Sequence, residues 1–163
     1  MADARRPFQA LGKRSSRRWL LGLALLGALP LLAATASLRA EEAAAEFRII
    51  AHPSHPEGHV ERSFLADAFL KKLTRWGNGE SIRPVDLRPN AAARRRFTEV
   101  VLKRSVGAVR SYWQQRIFSG RDVPPPELDS DEAVVAFVTK HPGAVGYVSG
   151  AAKLQGVREL SIR

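Results

Sequence analysis

The feature that most constrains the fold of this chain is the alternation, after Phe47, of short strand-like segments with amphipathic helical segments. The strand-like segments are Phe47–Ala51, Ile82–Leu87, Ala144–Val148 and Val157–Ile162. Helical periodicity, with apolar residues every three or four positions, marks residues 64–73, 91–104, 105–117 and 130–140. Ser105 and Ser130 are N-cap candidates, and Ile117 belongs to the apolar face of its helix. Six aromatic residues on apolar faces are expected in or beside one core: Phe64, Phe69, Phe97, Trp113, Phe137 and Tyr147. Because strands and helices alternate along the chain, this order predicts an α/β fold in which helices flank one small mixed sheet.

The segment Ile82–Phe97 reads as a strand, a polar corner and the start of a helix. Arg88, Pro89 and Asn90 break the strand pattern, and Asn90 occupies the position where an N-cap is expected. A helix N-terminus at the end of a strand presents unpaired N–H groups, and Arg88 and Arg94–Arg96 add positive charge around it. This combination is a general anion site. The alternative is that these arginines form a solvated helix face.

The first 36 residues have the three parts of a secretory signal peptide. Basic residues precede an apolar run, Leu20–Ala34, and Ala34-Thr35-Ala36 has the small-x-small pattern of a cleavage site. Removing this leader takes six bases and one acid from the 26 and 16 of the whole chain, so the formal net charge falls from +10 to +5. Nucleic acid is therefore not a predicted partner, and the periplasm is the predicted location.

Two properties of this leader stay open. An uncleaved anchor is the alternative to cleavage, but the apolar run is short for a membrane span and Pro30 interrupts it. We therefore expect no stable span in the mature chain. Ser16–Leu21 approaches the twin-arginine export pattern, and a general secretory signal with several arginines has a similar composition.

We expect cleavage at Ala36 or after Ala40, a loose mature N-terminus over residues 37–46, and a single domain over residues 47–163.

The chain has no cysteine, which excludes a disulfide framework, a thiol nucleophile and a cysteine metal site. Three histidines follow the first strand: His52, His55 and His59. Histidines that bind a metal normally lie on a helix or a hairpin, and these three lie in a segment predicted to be a loop. We therefore interpret them as polar loop residues and predict no metal and no other cofactor.

Three segments, taken in order, carry a resemblance to a known family: AFLKKLTRW at residues 68–76, IRPVD at 82–86, and HPGAVGYV at 141–148. This order resembles the phosphate-binding subunit of bacterial phosphate ABC transporters. Members of that family are periplasmic binding proteins whose two α/β lobes close on the anion. The resemblance implies one lobe of a type II periplasmic binding protein, with inorganic phosphate or a similar oxyanion as ligand and a transporter or other periplasmic protein as partner.

The chain departs from this family in length and in one loop. Full-length members have two lobes, each a domain of roughly a hundred residues or more, so this chain corresponds to about one lobe. The family's arginine after the second strand has a counterpart in Arg88. The hydroxyl-rich loop that follows it in the family is replaced here by Pro89–Ala93, which contains no serine or threonine.

The predicted ligand-binding residues are Ser54, Arg88 and Asn90. If an oxyanion binds, it should lie where the strands Phe47–Ala51 and Ile82–Leu87 end, because strand ends and helix N-termini converge in open α/β sheets. In this hypothesis Ser54 donates a hydroxyl, Arg88 makes a bidentate contact, and Asn90 orients the first N–H groups of the helix.

Three functional classes follow from these observations. The first is a phosphate-transporter substrate-binding-like protein that binds an oxyanion weakly, or as a dimer that rebuilds the cleft. The second is a domain that kept the fold, lost the ligand and acts as a periplasmic protein-interaction module through exposed surface such as Arg94–Arg96 or the prolines 124–126. The third, an enzyme, is not predicted, since no serine–histidine pair, carboxylate pair or glycine-rich phosphate loop stands in a recognisable frame.

Overall fold

The computed structural model describes residues 46–163 of the chain. The predicted signal peptide, residues 1–36, and nearly all of the predicted loose segment, residues 37–46, lie outside the described residues. The described residues form seven strands and four helices. In chain order these are β1 (Phe47–Ala51), β2 (His59–Val60), α1 (Arg62–Phe69), β3 (Arg83–Pro84), β4 (Asp86–Leu87), α2 (Ala92–Val100), α3 (Val106–Phe118), β5 (Glu127–Leu128), α4 (Asp131–Lys140), β6 (Ala144–Ser149) and β7 (Arg158–Ile162).

Five strands form one mixed sheet in the order β2-β7-β1-β6-β3. The central strand β1 runs antiparallel to both of its neighbours, β6 and β7. The two edge strands run parallel to theirs, β2 beside β7 and β3 beside β6. A separate two-stranded parallel sheet joins β4 to β5. The prediction of an α/β fold with a small mixed sheet and flanking helices is therefore confirmed.

The predicted strand Ile82–Leu87 is divided between the two sheets. β3 pairs with β6, the Val85 N–H donates to the Val145 carbonyl at 2.9 Å, and the Asp86 N–H turns to the Pro126 carbonyl at 2.9 Å. The chain thus leaves the five-stranded sheet at Val85 and enters the smaller one. The smaller sheet begins the site described below.

Two sequence-based assignments near the first helix were wrong: where the helix ends, and that His59 lies in a loop. α1 ends at Phe69 because Lys71 adopts a positive φ of 52°, which a helix cannot continue. Leu73 is consequently 39% exposed. The lysines after the helix pair with acids, Lys71 with Asp122 at 3.2 Å and Lys72 with Asp67 at 3.1 Å. His59, predicted to be in a loop, lies in β2.

Two serine N-caps predicted from the sequence are confirmed. The Ser105 hydroxyl accepts the Ala108 N–H at 3.1 Å, and the Ser130 hydroxyl accepts the Ala133 N–H at 3.2 Å. Ile117, expected on the buried face of α3, is 49% exposed instead. No helix between residues 46 and 163 combines the length and the apolar character that crossing a lipid bilayer requires.

One hydrophobic core lies between the helices and the larger sheet. The predicted core aromatics lie in it or beside it: Phe69, Phe97, Trp113 and Tyr147 are buried, and Phe64 and Phe137 are half-buried against it. The ring of Phe97 stacks on Tyr147, with centroids 4.0 Å apart and planes at 8°. This stack presses α2 onto β6.

Close packing of α4 on the sheet depends on a glycine in β6. A Cβ on Gly146 would lie 2.8 Å from side-chain carbons of Val134 in α4 and of Val85. Real Cβ atoms do not approach other carbons that closely, so only glycine lets both neighbours reach the strand.

We expect Gly146→Ala to lower the free energy of unfolding by about 1–3 kcal/mol, because the added methyl overpacks this contact. Urea denaturation of the two proteins measures the difference. Gly77→Ala is the matched control, since its Cβ would meet no heavy atom within 4 Å, and its effect should stay within about 0.5 kcal/mol. Equal midpoints for Gly146→Ala and wild type would contradict the packing of α4 on β6.

Candidate functional site

The structure does not bring the three predicted ligand-binding residues together. β1 runs antiparallel to β6, whereas β3 runs parallel to it. The carboxyl end of β1, and Ser54 after it, therefore lies near the start of β6, while Arg88 and Asn90 lie toward its end. The predicted convergence assumed parallel strands and is wrong for Ser54, whose exposed hydroxyl lies 2.7 Å from Nδ1 of His52.

Asn90 does not cap the helix that follows it. The Ala91 N–H donates to the Arg88 carbonyl at 3.1 Å, which closes a β-turn with Pro89 at its second position. The N-cap position then falls on Ala91, whose side chain has no oxygen, and α2 has no side-chain cap. The Asn90 carbonyl instead accepts a hydrogen bond from Nη1 of Arg95 at 2.8 Å. The first N–H groups of α2 are therefore open to an outside acceptor.

Arg88 and this uncapped helix end line a shallow concavity of about 310 Å³, which we call the half-cleft. Its walls come from four places: the end of β4 (Leu87, Arg88), the first turn of α2 (residues 91–93), the start of α4 (residues 129–132) and Ser149 at the end of β6. The Arg88 side chain is exposed and makes no hydrogen bond with the described residues. One cation and one open helix N-terminus thus face the same space.

The second helix end in the half-cleft is already occupied. Ser130 caps α4, and the Asp131 carboxylate accepts both the Ser149 N–H at 3.0 Å and the Ser149 hydroxyl at 2.5 Å. The Glu132 carboxylate accepts hydrogen bonds from the backbone N–H of Glu132 itself and from the Ser130 hydroxyl. These bonds, the first more than the second, lower the pKa of the Glu132 carboxyl, which is therefore ionised at neutral pH. The hydroxyl and amides on this wall are consequently not free for a ligand.

The half-cleft is electrostatically mixed as a result. Arg88 and the α2 dipole attract an anion, whereas the carboxylates of Asp129 and Glu132 repel it. Each additional negative charge on a ligand raises the repulsion as well as the attraction. The geometry therefore favours a small oxyanion held by Arg88 and α2 at the wall farther from the carboxylates.

Two elements that line the half-cleft, β4 and α2, also hold a buried ion pair that the sequence did not reveal. Asp86 in β4 and Arg94 in α2 are only 5% and 4% exposed, and Nη1 of Arg94 contacts the Asp86 carboxylate. The same carboxylate accepts the Leu87 N–H at 3.0 Å and the hydroxyl of Tyr147. Burial raises the pKa of Tyr147, so the phenol keeps the proton that it donates.

The interpretation of Arg94 as part of a solvated helix face is wrong, although it holds for its exposed neighbours Arg95 and Arg96. The helical periodicity of α2 could have revealed that Arg94 is buried. Arg94 precedes the core residue Phe97 by three positions and buried Thr98 by four, so it lies on the inward face of α2. An arginine on that face requires a buried acid, and Asp86 supplies it.

A second concavity, of about 320 Å³, lies near the histidine-rich loop after β1. His55 is only 7% exposed and its ring lies 4.3 Å from that of Trp76, so it is a packed residue and not the polar loop histidine that we predicted. Burial lowers the pKa of His55 and favours the neutral imidazole. Among residues 46–163 no three histidine, aspartate or glutamate side chains cluster in a way that would hold a metal ion.

Solved structures share this fold at low sequence identity. A phosphate ABC transporter substrate-binding protein from Clostridium perfringens, with bound phosphate, matches with a TM-score of 0.57 at 17% identity, over 72% of this chain and 44% of that one. An ABC-type phosphate transport receptor from Vibrio cholerae matches with a TM-score of 0.52 at 16% identity, over 73% of this chain and 48% of that one. PstS from Borrelia burgdorferi matches with a TM-score of 0.54 at 11% identity, over 72% of this chain and 47% of that one. No protein-family model and no curated protein matches the sequence.

These comparisons define a class: the chain has the fold of ABC-transporter substrate-binding proteins. More narrowly, these three structures are of phosphate-transport proteins, and the chain spans less than half of the length of each. The predicted resemblance to a short, single-lobe form of this fold is therefore confirmed. At identities of 11–17% the match concerns the fold and not the ligand.

We expect Arg94→Met to lower the free energy of unfolding by about 3–5 kcal/mol, because it leaves Asp86 buried without its cation. The double variant Asp86→Leu/Arg94→Met removes both charges and should recover most of that loss. Urea denaturation of the two single variants and the double variant gives the coupling energy. Strictly additive losses would show that the pair does not stabilise the fold as a unit.

Proposed function

We propose that this chain is an exported, non-enzymatic binding protein that takes phosphate or another small oxyanion at the half-cleft. The observation that carries this proposal is the uncapped N-terminus of α2 beside the exposed guanidinium of Arg88. Helix N–H groups and an arginine together provide directed donors and positive charge for an oxyanion. The shared fold adds support, since one matched structure contains bound phosphate.

The proposed affinity is modest for three physical reasons. A single lobe offers only one wall, so the ligand stays partly hydrated. The first turn of α2 contributes no hydroxyl, and the Ser149 hydroxyl is already bonded to Asp131. Carboxylates at Asp129 and Glu132 oppose the bound charge. We propose micromolar affinity or weaker, which is about 8 kcal/mol of binding free energy or less.

A second wall would strengthen such a site. A second copy of the chain, placed across the half-cleft, would supply it, and so would another protein. In the proposed setting the chain acts in the periplasm, with an ABC transporter or another periplasmic protein as partner. The leader fits the general secretory route, and the twin-arginine route is the alternative.

We expect Arg88→Ala to weaken phosphate binding by about 1.5–3 kcal/mol, since it removes a charge-assisted contact. Isothermal titration of the purified mature domain with phosphate, and separately with sulfate, measures this change. Arg83→Ala is the matched control because Arg83 is also exposed but lies beside the start of β6, at the opposite end of the sheet.

The carboxylate wall supplies the reciprocal test. Glu132→Gln removes one repelling charge and should tighten binding by about 0.5–1 kcal/mol at low salt. Absence of heat from wild type at millimolar phosphate, or equal losses for Arg88→Ala and Arg83→Ala, would overturn the oxyanion proposal.

We expect export to produce a mature chain that starts at or near Ser37. Mass spectrometry of a periplasmic extract should then detect the mature form, with the segment from Met1 to Ala36 removed. Intact precursor as the main species in the cell would contradict the proposed location.

A second candidate function, a protein-interaction module, is favoured by a separate observation. The described residues leave Ile117 and Phe118 exposed by 49% and 89% at the end of α3. Exposed apolar side chains beside basic ones are typical of interaction surfaces. This surface shares no lining residue with the half-cleft, so the two functions can be separated by mutation.

A further inference from the structure

Within the described residues, positive charge is concentrated on α2, α3 and their connections. Between Arg88 and Arg121 the sequence has nine basic residues and a single acidic one, Glu99. Of the nine, Arg94 is neutralised by Asp86. None of the other eight forms an ion pair with a carboxylate in the described part of the chain. This block therefore presents an uncompensated cationic surface.

The same block contains a groove with an apolar floor, which we call the α3 groove. It has a volume of about 590 Å³ and lies between α3 and the extended segment before β5. Its main lining residues are Val106, Arg110, Trp113, Gln114, Ile117 and Pro124. One lining residue, Glu127, is acidic, and its carboxylate lies 4.0 Å from Arg94. Trp113 forms the floor and is only 5% exposed, whereas Ile117 is 49% exposed at the edge.

Apolar exposure continues past the end of α3. Phe118 is 89% exposed and the nearby Val123 is 60% exposed. Arg116 and Arg121 flank Phe118 in the sequence. Burial of a large apolar side chain is favourable, so Phe118 is a strong anchor for any partner that covers it.

We infer that the α3 groove binds an acidic peptide segment of another protein, whose apolar side chains insert beside Trp113 and Ile117 and whose carboxylates pair with Arg110 and neighbouring cations. Arginine suits this role because its planar fork of donors matches a carboxylate. The net charge of the block selects for an acidic partner, and the concave floor selects for protruding apolar side chains.

Two other occupants fit these observations less well. A second copy in a symmetric interface would place the same eight cations opposite each other, which costs free energy. An anionic membrane matches the charge and can receive Phe118, but a flat lipid surface does not fill a groove whose floor is Trp113. The concavity therefore favours a peptide segment.

The inference rests on the second candidate function, the protein-interaction module, and does not depend on the proposed oxyanion function. A displayed library of random 12-residue peptides, selected on the mature domain with counter-selection on the variant Ile117→Ser/Phe118→Ser, tests it directly. Selected sequences should be enriched in Asp and Glu together with large apolar residues. A selected peptide, labelled with fluorescein, then allows binding to be measured by anisotropy.

We expect Ile117→Ser/Phe118→Ser and Arg110→Glu each to weaken that peptide at least tenfold, and added salt to weaken it in wild type. The matched controls are Leu73→Ser, another exposed apolar residue, and Lys153→Glu, another exposed cation, which should both bind like wild type. Phosphate binding should be unchanged in Ile117→Ser/Phe118→Ser, and Arg88→Ala should weaken the peptide far less than Arg110→Glu because Arg88 does not line the α3 groove, so the two proposals fail separately.

Three results would overturn the inference. The first is a selection without acidic enrichment, or peptides that bind the variants and wild type equally. The second is binding to phosphatidylglycerol vesicles that depends on Phe118 while no peptide binds. The third is concentration-dependent dimerisation, measured by sedimentation, that Ile117→Ser/Phe118→Ser abolishes.

Discussion

The interaction on which the rest of the structure depends is the buried pair of Asp86 and Arg94. It joins β4 to the first turn of α2, and the hydroxyl of Tyr147 ties both to β6. Buried charges are costly unless each is paired and hydrogen-bonded, so these three side chains admit few alternative arrangements. The position of Arg88 and of the α2 N-terminus follows from that constraint, because both are within a few residues of the pair.

The fold was largely predictable because its main elements leave local signals. Apolar periodicity marked β1, β6, α2 and α4, and two serines marked helix starts that the structure confirms. The site was less predictable because it depends on strand direction. The sequence of a strand does not show whether its neighbour runs parallel or antiparallel to it. The prediction therefore placed Ser54 at the wrong end of the sheet. Asn90 was misplaced because a proline turn competes with a cap for the same asparagine.

The half-cleft and the α3 groove lie on either side of the first turn of α2. Arg88 faces one and Pro89 lines the other. One short turn therefore separates a polar surface suited to a small anion from an apolar, cationic surface suited to a larger partner. A single lobe can in this way present two binding surfaces, although it has only half of the cleft found in a two-lobed protein.

The small sheet of β4 and β5 has a consequence for the order in which this domain assembles. Its two strands pair residues 41 positions apart, Asp86 with Glu127, through a ladder only two residues long. Closing a loop of that length costs entropy, and so short a ladder returns little enthalpy until α2 and α3 are in place. The two-stranded sheet should therefore form late in folding and open before the five-stranded sheet. The N–H groups of Asp86 and Arg88 donate to carbonyls next to and in β5, so their hydrogen exchange would report a subglobal opening that leaves the five-stranded sheet intact.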